Sequence, residues 1–527
     1  MRGRGRCTHP PAGHKVKRLS RHRFLETGLR GAASLALAPY VGRFGSVSRP
    51  NIVLIMSDEH NASVLGCGGN AIVRTPHLDS LSRNGITFDA CYTNSPLCGP
   101  ARAAFVSGRY ASRNSVWSNN CELPSDATPS IAGQMAALGY DPFLCGKMHF
   151  AAGRSYGFLP VGEAEGTHKD GTGHRRAADD LQSGHSLSPR FRQFFTDSDS
   201  MVMRHDRGVT ERAVRFLDSR PADTRPFLLT LGYLAPHFPL IVPQRYRKHY
   251  RGKLPPPPLT AGYLAGLPLN YRHLRNAFRM EAVPEDVAQK GRELYYGLVE
   301  WFDEQVGCVL QALERSAVAS NTIVIYTSDH GENLGQHGLW WKNTMFDSSA
   351  RVPLIVSGTN RWRDGSRRGG PCSLVDLSST LIDLAGGRAP DDWDGSSLVP
   401  LLDSAASNWK DTAISEYYGH NVASGFAMIR RGDLKYVYHT APDRRRGPEQ
   451  ELYNLREDPN EMLNRARDGR YAPLAAALHR ELVRQLGEAP DRTEARCRAS
   501  YAAANQRVAN GGRSTRHANR HAGSLDL

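Results

Sequence analysis

Residues 51–60 read NIVLIMSDEH, and this stretch decides the fold. Ile52 to Met56 are apolar without interruption. A strand with one wet face would alternate; a continuous run is expected of a strand covered by helices on both sides, as in a parallel sheet. A second run, TIVIYT at 322–327, ends in the same way. The first leads into Ser57-Asp58-Glu59 and the second into Ser328-Asp329-His330. In open α/β sheets, sites form beyond the carboxyl ends of the strands. Asp58, Glu59, Asp329 and His330 are therefore candidates to converge at one sheet edge. Clustered carboxylates repel one another unless a cation sits among them, and hard oxygen donors with one histidine suit Ca²⁺ or Mg²⁺. The same positions would also suit aspartates that merely cap the helix that follows.

Working outward, strand and helix alternate. TPHLDSLSRNG (75–85) reads as a helix with Thr75 as its cap, Pro76 in first position and Gly85 closing it. SIAGQMAALGY (130–140) is another helix, followed by a strand in DPFLCGKMHF (141–150). PFLLTLGYLAPH (226–237) and RVPLIVSG (351–358) are further strands. Leu294, Leu298, Phe302, Val306, Val309 and Leu313 recur at helical spacing between Pro284 and Ser316. This predicts an α/β domain with a mostly parallel central sheet flanked by helices, over residues 49–405. Two stretches, 152–198 and 245–275, read as long excursions from the sheet. Beyond them FAMIRRGDLKYVYH (426–439), ELYNL (451–455) and the helical APLAAALHRELVRQL (472–486) predict a smaller C-terminal α+β unit with a short antiparallel sheet, residues 406–490. Residues 491–527 read as a basic, disordered tail.

The net charge is +15. Much of it lies at the two ends, between Arg2 and Arg23 and between Arg492 and Arg520. That distribution argues against a nucleic-acid surface and leaves a modest excess suited to anionic substrates. RLSRHRFLETGLRGAASLALAPYVG (18–42) has a basic region, a small-residue apolar run and Ala38-Pro39. That is the layout of an export signal, twin-arginine-like except that His22 separates Arg21 from Arg23. Residues 1–48 are therefore set aside as signal and linker, and a periplasmic or extracellular location is expected. No apolar run of about eighteen residues follows Pro50, so nothing in the body of the chain reads as membrane-spanning. The nine cysteines show no CxxC pair and no regular spacing, hence no zinc ribbon and no disulfide framework.

One cysteine stands apart. In SPLCGPARAAFVSGRY (95–110), Pro100 suits the first turn of a helix, and Cys98 falls at the helix mouth. A helix N-terminus offers free N–H groups and a positive dipole end to an anion. Arg102 follows Cys98 at i+4 and shares its face. A thiolate there would already be a plausible nucleophile. Lys147 and His149, two apart on what reads as one strand, would share a face as well.

Cys-x-Pro-x-Arg followed by AAFVSGRY resembles the signature of the type I sulfatases of the alkaline phosphatase superfamily, with Ala101 where the family more often has Ser. The resemblance runs from about Pro50 to Gln485, in family order. It includes NIVLIMSDEH, GKMHF with Lys147 and His149, LAPHFP with His237, TSDHGENLGQHG, WWKNTMFDSSARVPLIV with Lys342, VDLSSTLIDLAG and ELYNLREDPNEMLN. SDEH with GLWWK also resembles choline-sulfatase-like members. His237 and Lys342 are singled out by the resemblance and not by their local pattern.

The resemblance implies an alkaline-phosphatase-like fold and a sulfatase activity on an anionic sulfate ester, of a carbohydrate or a small alcohol. It implies that Cys98 is converted to Cα-formylglycine by a maturation enzyme. The hydrated aldehyde would attack sulfur through one hydroxyl and expel sulfate through the other. It further implies a divalent metal, Ca²⁺ before Mg²⁺, held by Asp58, Asp329, His330, Glu59 and residue 98 itself. Glu59 stands where many relatives have Asp. Arg102, Lys147 and Lys342 would offset charge on the sulfuryl group. His149 would act as base for collapse of the diol, and His237 with Lys342 would protonate the departing oxygen. A phosphonate monoester or phosphodiester hydrolase of the same superfamily, and a non-catalytic binder of sulfated glycans, are the rival readings.

Overall fold

The computed structural model describes residues 49–181, 187–196, 199–358, 361–405 and 408–511. The expected export signal at 1–48, and the part of the expected tail beyond 511, lie outside them. The principal elements in chain order are β1 (Asn51–Asp58), α1 (Pro76–Arg83), β2 (Ile86–Tyr92), α2 (Cys98–Ser107), α3 (Ile131–Ala137), β3 (Asp141–Gly146), α4 (Met201–Asp218), β4 (Phe227–Pro236), α5 (Glu285–Arg315), β5 (Thr322–Ser328), β6 (Arg351–Ser357) and α6 (Leu374–Leu384). The smaller unit follows with β7 (Thr412–Tyr417), β8 (Phe426–Arg431), β9 (Leu434–His439), β10 (Glu449–Asn454), α7 (Ala472–Leu486) and α8 (Pro490–Gly511).

Every residue of β1 is buried. Alternate side chains serve opposite layers, as the period of a strand requires. Val53 and Ile55 join a core with Leu78 of α1, Val209 and Leu217 of α4, and Leu298 and Phe302 of α5. Ile52, Leu54 and Met56 join a second core with Phe105 of α2, Ile131 and Met135 of α3, and Leu377 and Leu381 of α6. The large domain is thus a sheet between two helical layers. Its long strands run β2-β6-β5-β1-β4-β3, extended at the edges by two-residue strands. The pairs β1–β4, β1–β5 and β3–β4 are parallel, whereas β6 is antiparallel to both β5 and β2.

Register sets where the strands end. Ser57 lies opposite Ser328, and Asp58 opposite Pro236. Asp58, Asp329 and His237 therefore emerge side by side although they are far apart in sequence. Asp206 of α4 secures the end of β4 by accepting from the Leu234 and Ala235 amides, each at 2.8 Å.

The smaller unit is an antiparallel sheet in the order β7-β8-β9-β10, with α7 packed on it through Leu478, Leu482 and Leu486. Buried Lys435 of β9 ties this sheet to the large domain. Its ammonium meets Glu461 at 2.6 Å and Asp347, and donates to the Met345 carbonyl at 2.9 Å.

Two expectations need correction. Lys147 and His149 do not lie on a strand: β3 ends at Gly146, and His149 has φ of 61°. The backbone turns at Gly146, with φ of 90°, and loop geometry, not strand alternation, aims both side chains. Residues 491–511, expected as disordered tail, form α8, with Cys497, Tyr501 and Ala504 buried; short runs of alanine and arginine mask its apolar face. The excursion at 245–275 carries helices at Ala261–Ala265 and Leu269–Ala277. Among the described residues no helix is long and apolar enough to cross a membrane, and the described cysteines are all free thiols.

A Cβ on Gly232 of β4 would stand 1.8 Å from the Lys147 carbonyl oxygen, which is backbone and cannot swing away. Gly232→Ala should cost about 3 kcal/mol, the upper end for overpacking, read as a lowered urea midpoint with unchanged slope. His205 bridges Asp206 at 2.6 Å and Glu165 at 2.9 Å. Burial lowers its pKa, but hydrogen bonds to Asp206 and Glu165 outweigh burial and push it up to about 9. A histidine raised in the folded state stabilises it below its unfolded pKa of about 6.5, and loses that contribution as pH rises through the folded value. Thermal melts should show the wild type losing on the order of 1–2 kcal/mol from pH 6.5 to above 9, discounted for the partial exposure of Glu165, and His205→Gln losing none of it.

Candidate active site

The end of β1, the end of β5 and the mouth of α2 meet at one point. Cys98 is the first residue of α2, and its Sγ lies 3.2 Å from His330 Nε2, 3.2 Å from Lys342 Nζ and 3.6 Å from Asp58 Oδ1. All five side chains expected around the metal are buried. Arg102, one turn further along α2, binds both aspartates. Its Nε donates to Asp329 Oδ2 at 2.7 Å, its Nη2 to Asp58 Oδ2 at 3.2 Å, and its Nη1 to the Lys147 carbonyl at 2.7 Å. Arg102 was expected to face the sulfuryl group; the structure directs its guanidinium to the two aspartates, with no exposed side-chain surface on any of the three. Lys147 Nζ adds an ion pair to Asp58 Oδ2 at 2.7 Å.

Burial alone would raise the Asp58 carboxyl, but Lys147, His237, Arg102 and Lys342 together hold it well below the usual carboxylate range. Burial pushes the Cys98 thiol up to about 11, helped by Asp58. Exclusion from water here disfavours the charged form of an unmodified thiol. Glu59, with fewer cations around it, is raised by burial to about 8 despite Lys342.

His330 Nδ1 lies 3.0 Å from the Gly331 carbonyl, which can only accept, so Nδ1 carries the proton and Nε2 presents a lone pair. That lone pair faces Asp58 Oδ1 and Asp329 Oδ1, each at 3.6 Å. Three acceptors thus converge on one point beside the Cys98 thiol, an arrangement that could hold a cation. Asp58, Cys98, Asp329 and His330 all offer ligand atoms within 4.8 Å of one another. Two carboxylate oxygens make the set anionic, and with the imidazole nitrogen they fit a divalent cation. Glu59 falls outside that group. It clusters with Asp58 and His237, and its Oε2 lies 3.1 Å from His237 Nε2 and 3.3 Å from Lys342 Nζ.

His237 and Lys342, which no local pattern singled out, form a pair: Nζ to Nε2 is 2.6 Å. His237 Nδ1 donates to the Phe238 carbonyl at 2.6 Å, so Nε2 is the acceptor and Lys342 the donor. Burial, then Lys342, hold the His237 pKa well below its ordinary value, and burial does the same for His149. Lys342 is raised: burial lowers it, but the charges of Cys98, Glu59 and Asp58 more than offset this. His149 Nδ1 is buried and without a hydrogen-bond partner.

Lys147, His149 and Lys342 open into a cavity of about 740 Å³. Much of its outer wall comes from residues the sequence reading did not name. Asn119 accepts from the Gly99 amide at 2.9 Å and lines the cavity. Glu165, His168 and Arg190 come from the excursion at 152–198, and His420 and Asn421 from the loop after β7. The length of that excursion was the one available signal. Arg190 packs its guanidinium over Phe238, Phe278 and Trp341, at 4.3, 5.0 and 5.1 Å from the ring centres.

Comparison with known proteins agrees with this geometry. The sulfatase family model matches residues 50–387, and that of the N-sulphoglucosamine sulphohydrolase C-terminal region matches 335–488. The choline-sulfatase of Rhizobium meliloti is 29% identical over 456 residues, covering 81% of this chain and 84% of that protein. The N-acetylglucosamine-6-O-sulfatase of Bacteroides thetaiotaomicron is 26% identical over 508 residues, covering 84% and 86%. The crystal structure of the phosphonate monoester hydrolase of Agrobacterium radiobacter shares the fold, with a TM-score of 0.67 at 24% identity over 83% of this chain and 95% of that one. With its signature cysteine at a helix mouth between two strand-end aspartates, and a family model spanning most of its length, the chain belongs to the sulfatase family, within the alkaline phosphatase-like superfamily, and is a sulfuric ester hydrolase.

Proposed function

We propose that this enzyme hydrolyses the sulfate ester of a carbohydrate or small alcohol through a formylglycine made from Cys98 and a divalent cation, Ca²⁺ before Mg²⁺. The observation that carries the reading is the position of Cys98, at the first turn of α2 and within 3.2–3.6 Å of His330, Lys342 and Asp58. Formylglycine, as its hydrate, would supply one hydroxyl to displace the alcohol and a second whose deprotonation expels sulfate. The cation, held by Asp58, Asp329, His330 and residue 98, would lower the pKa of the attacking hydroxyl and neutralise sulfate oxygens. Glu59 is proposed as a partner of Lys342 and His237 and not as a primary ligand, because its near oxygen faces that pair.

The chain's own residues divide the remaining work. Arg102 orients Asp58 and Asp329 through its fork and cancels their repulsion. Lys147 borders the cavity from the Asp58 side and offers charge to the sulfuryl group. Lys342 holds the proton that the departing oxygen needs, and His237 Nε2 fixes the ammonium by accepting from it. His149, with an unpartnered Nδ1, is the proposed base for sulfate release. Asparagines, histidines and a carboxylate around the cavity match the hydroxyl groups of a sugar. The relatives named for choline sulfate and N-acetylglucosamine 6-sulfate support a small alcohol or an aminosugar. Export by the N-terminal segment and a formylglycine-generating partner complete the proposal.

Mass spectrometry of the peptide bearing residue 98, from a host that installs formylglycine, should show an aldehyde in active enzyme, and chelator should abolish turnover until Ca²⁺ or Mg²⁺ is returned. Cys98→Ala should lose roughly 10⁴-fold or more in kcat. Full activity with an intact thiol removes the mechanism, and affinity for sulfated glycan without turnover favours a binder. Faster hydrolysis of a phenyl phosphonate than of 4-nitrophenyl sulfate would favour the phosphonate reading. Lys342→Ala should slow an alkyl or sugar sulfate by about 10²–10³-fold, and 4-nitrophenyl sulfate much less, because a good leaving group needs no proton.

A further inference from the structure

Helix α8 belongs to neither sheet, yet its inner face grips two stretches that both line the cavity. One runs from 164 to 176 and contributes Glu165 and His168 to the wall; the other, 417–425, contributes His420 and Asn421. Arg175 stands where they meet. Its Nε and Nη2 donate to Glu494 Oε1 and Oε2 of α8 at 2.8 and 2.7 Å, a bidentate pair whose side chains are only 6% and 5% exposed. Its Nη1 donates to the carbonyls of Tyr418, at 3.2 Å, and Gly419. One guanidinium thus joins the helix, the first stretch and the second.

The rest of α8 repeats the pattern. Glu494 Oε2 accepts from the Gly425 amide at 3.1 Å. Arg498 donates to the Ala423 carbonyl at 2.7 Å, and Tyr501 to the Tyr418 carbonyl at 2.9 Å. Asn505 exchanges two bonds with Gly173, donating to its carbonyl at 2.7 Å and accepting from its amide at 3.3 Å. A Cβ on Gly173 would fall 2.3 Å from the Tyr501 ring, so the backbone sits directly against the helix. A helix that only covered apolar surface would not need so many bonds to loop backbone. Bonds of this kind fix the path of an otherwise irregular segment.

The wall is gripped from inside as well. The Gly171 amide donates to the Asn120 carbonyl at 2.7 Å, and Lys169 Nζ to the Asn119 carbonyl. Asn119 in turn accepts from Gly99, beside Cys98. The outer grip of α8 therefore sets the wall's position while the inner one keeps the cradle around residue 98 in place.

We propose that α8 is a clamp that positions the alcohol-binding wall of the cavity, with Arg175 and Glu494 as its positioning residues. The clamp governs recognition of the part of the substrate beyond the sulfuryl group, and in this it rests on the sulfate-ester reading. Glu494→Gln keeps the shape and removes the charge; Arg175→Lys keeps the charge and removes the fork. In the full-length matured enzyme, both variants should raise KM for N-acetylglucosamine 6-sulfate about tenfold with kcat within about twofold, and leave 4-nitrophenyl sulfate within about twofold in both parameters. Amide hydrogen exchange, which needs no turnover, should quicken about tenfold or more in 164–176 and 417–425 and stay unchanged in β1 and β5. Unchanged exchange in the two wall segments overturns the clamp. So does a loosened wall with both KM values unchanged, or lost protection in β1 and β5, which would make α8 a general folding element. If the wild type turns over neither ester, the sulfate-ester reading fails, and the exchange comparison alone decides whether α8 holds the wall.

Discussion

The site depends on the register of β1 between β5 and β4. Parallel pairing puts Ser57 beside Ser328 and Asp58 beside Pro236, so two aspartates and the segment bearing His237 leave the sheet at one height. A slip of one residue would turn Asp58 toward the opposite helical layer and leave a carboxylate among apolar side chains. The register is itself enforced by burial, since Ile52 to Met56 interlock with cores on both faces.

Bringing two carboxylates together out of water is unfavourable unless their charge is answered. Arg102 answers it first: a single fork spans Asp58 and Asp329, and its remaining nitrogen holds the Lys147 carbonyl. Lys147 and Lys342 add positive charge on the side that opens to the cavity. The arrangement is preorganised. Its donors are fixed by buried contacts before a substrate arrives, which is the condition under which electrostatic stabilisation of a transition state is strongest.

Around this rigid floor the wall is made of loops. Glu165, His168 and Arg190 belong to the excursion after β3, and His420 and Asn421 to the turn after β7. Loops tolerate change more readily than sheet cores, so a family can keep one chemistry while varying the alcohol it accepts. The loops here are tied down from outside, by α8, and from the large domain through Asn119 and Asn120.

Much of the fold was legible in local pattern. Continuous apolar runs marked β1 and β5 as doubly buried strands, helical spacing marked α5, and alternation with turns marked the small sheet. Cys-x-Pro-x-Arg placed Cys98 at the start of a helix, and Asp58, Asp329 and His330 at strand ends, because helix caps and strand termini are local features. Lys147 and His149 were misplaced on a strand because the backbone turns at Gly146 and loop geometry aims both side chains. The pairing of Lys342 with His237, the turning of Arg102 toward two aspartates and the helical course of 490–511 were decided by contacts between distant residues. The chain's own order of residues determined which elements form and which groups can react. Only the tertiary structure decided which of those groups face one another, because such contacts depend on register and loop path, and no short window of sequence encodes either.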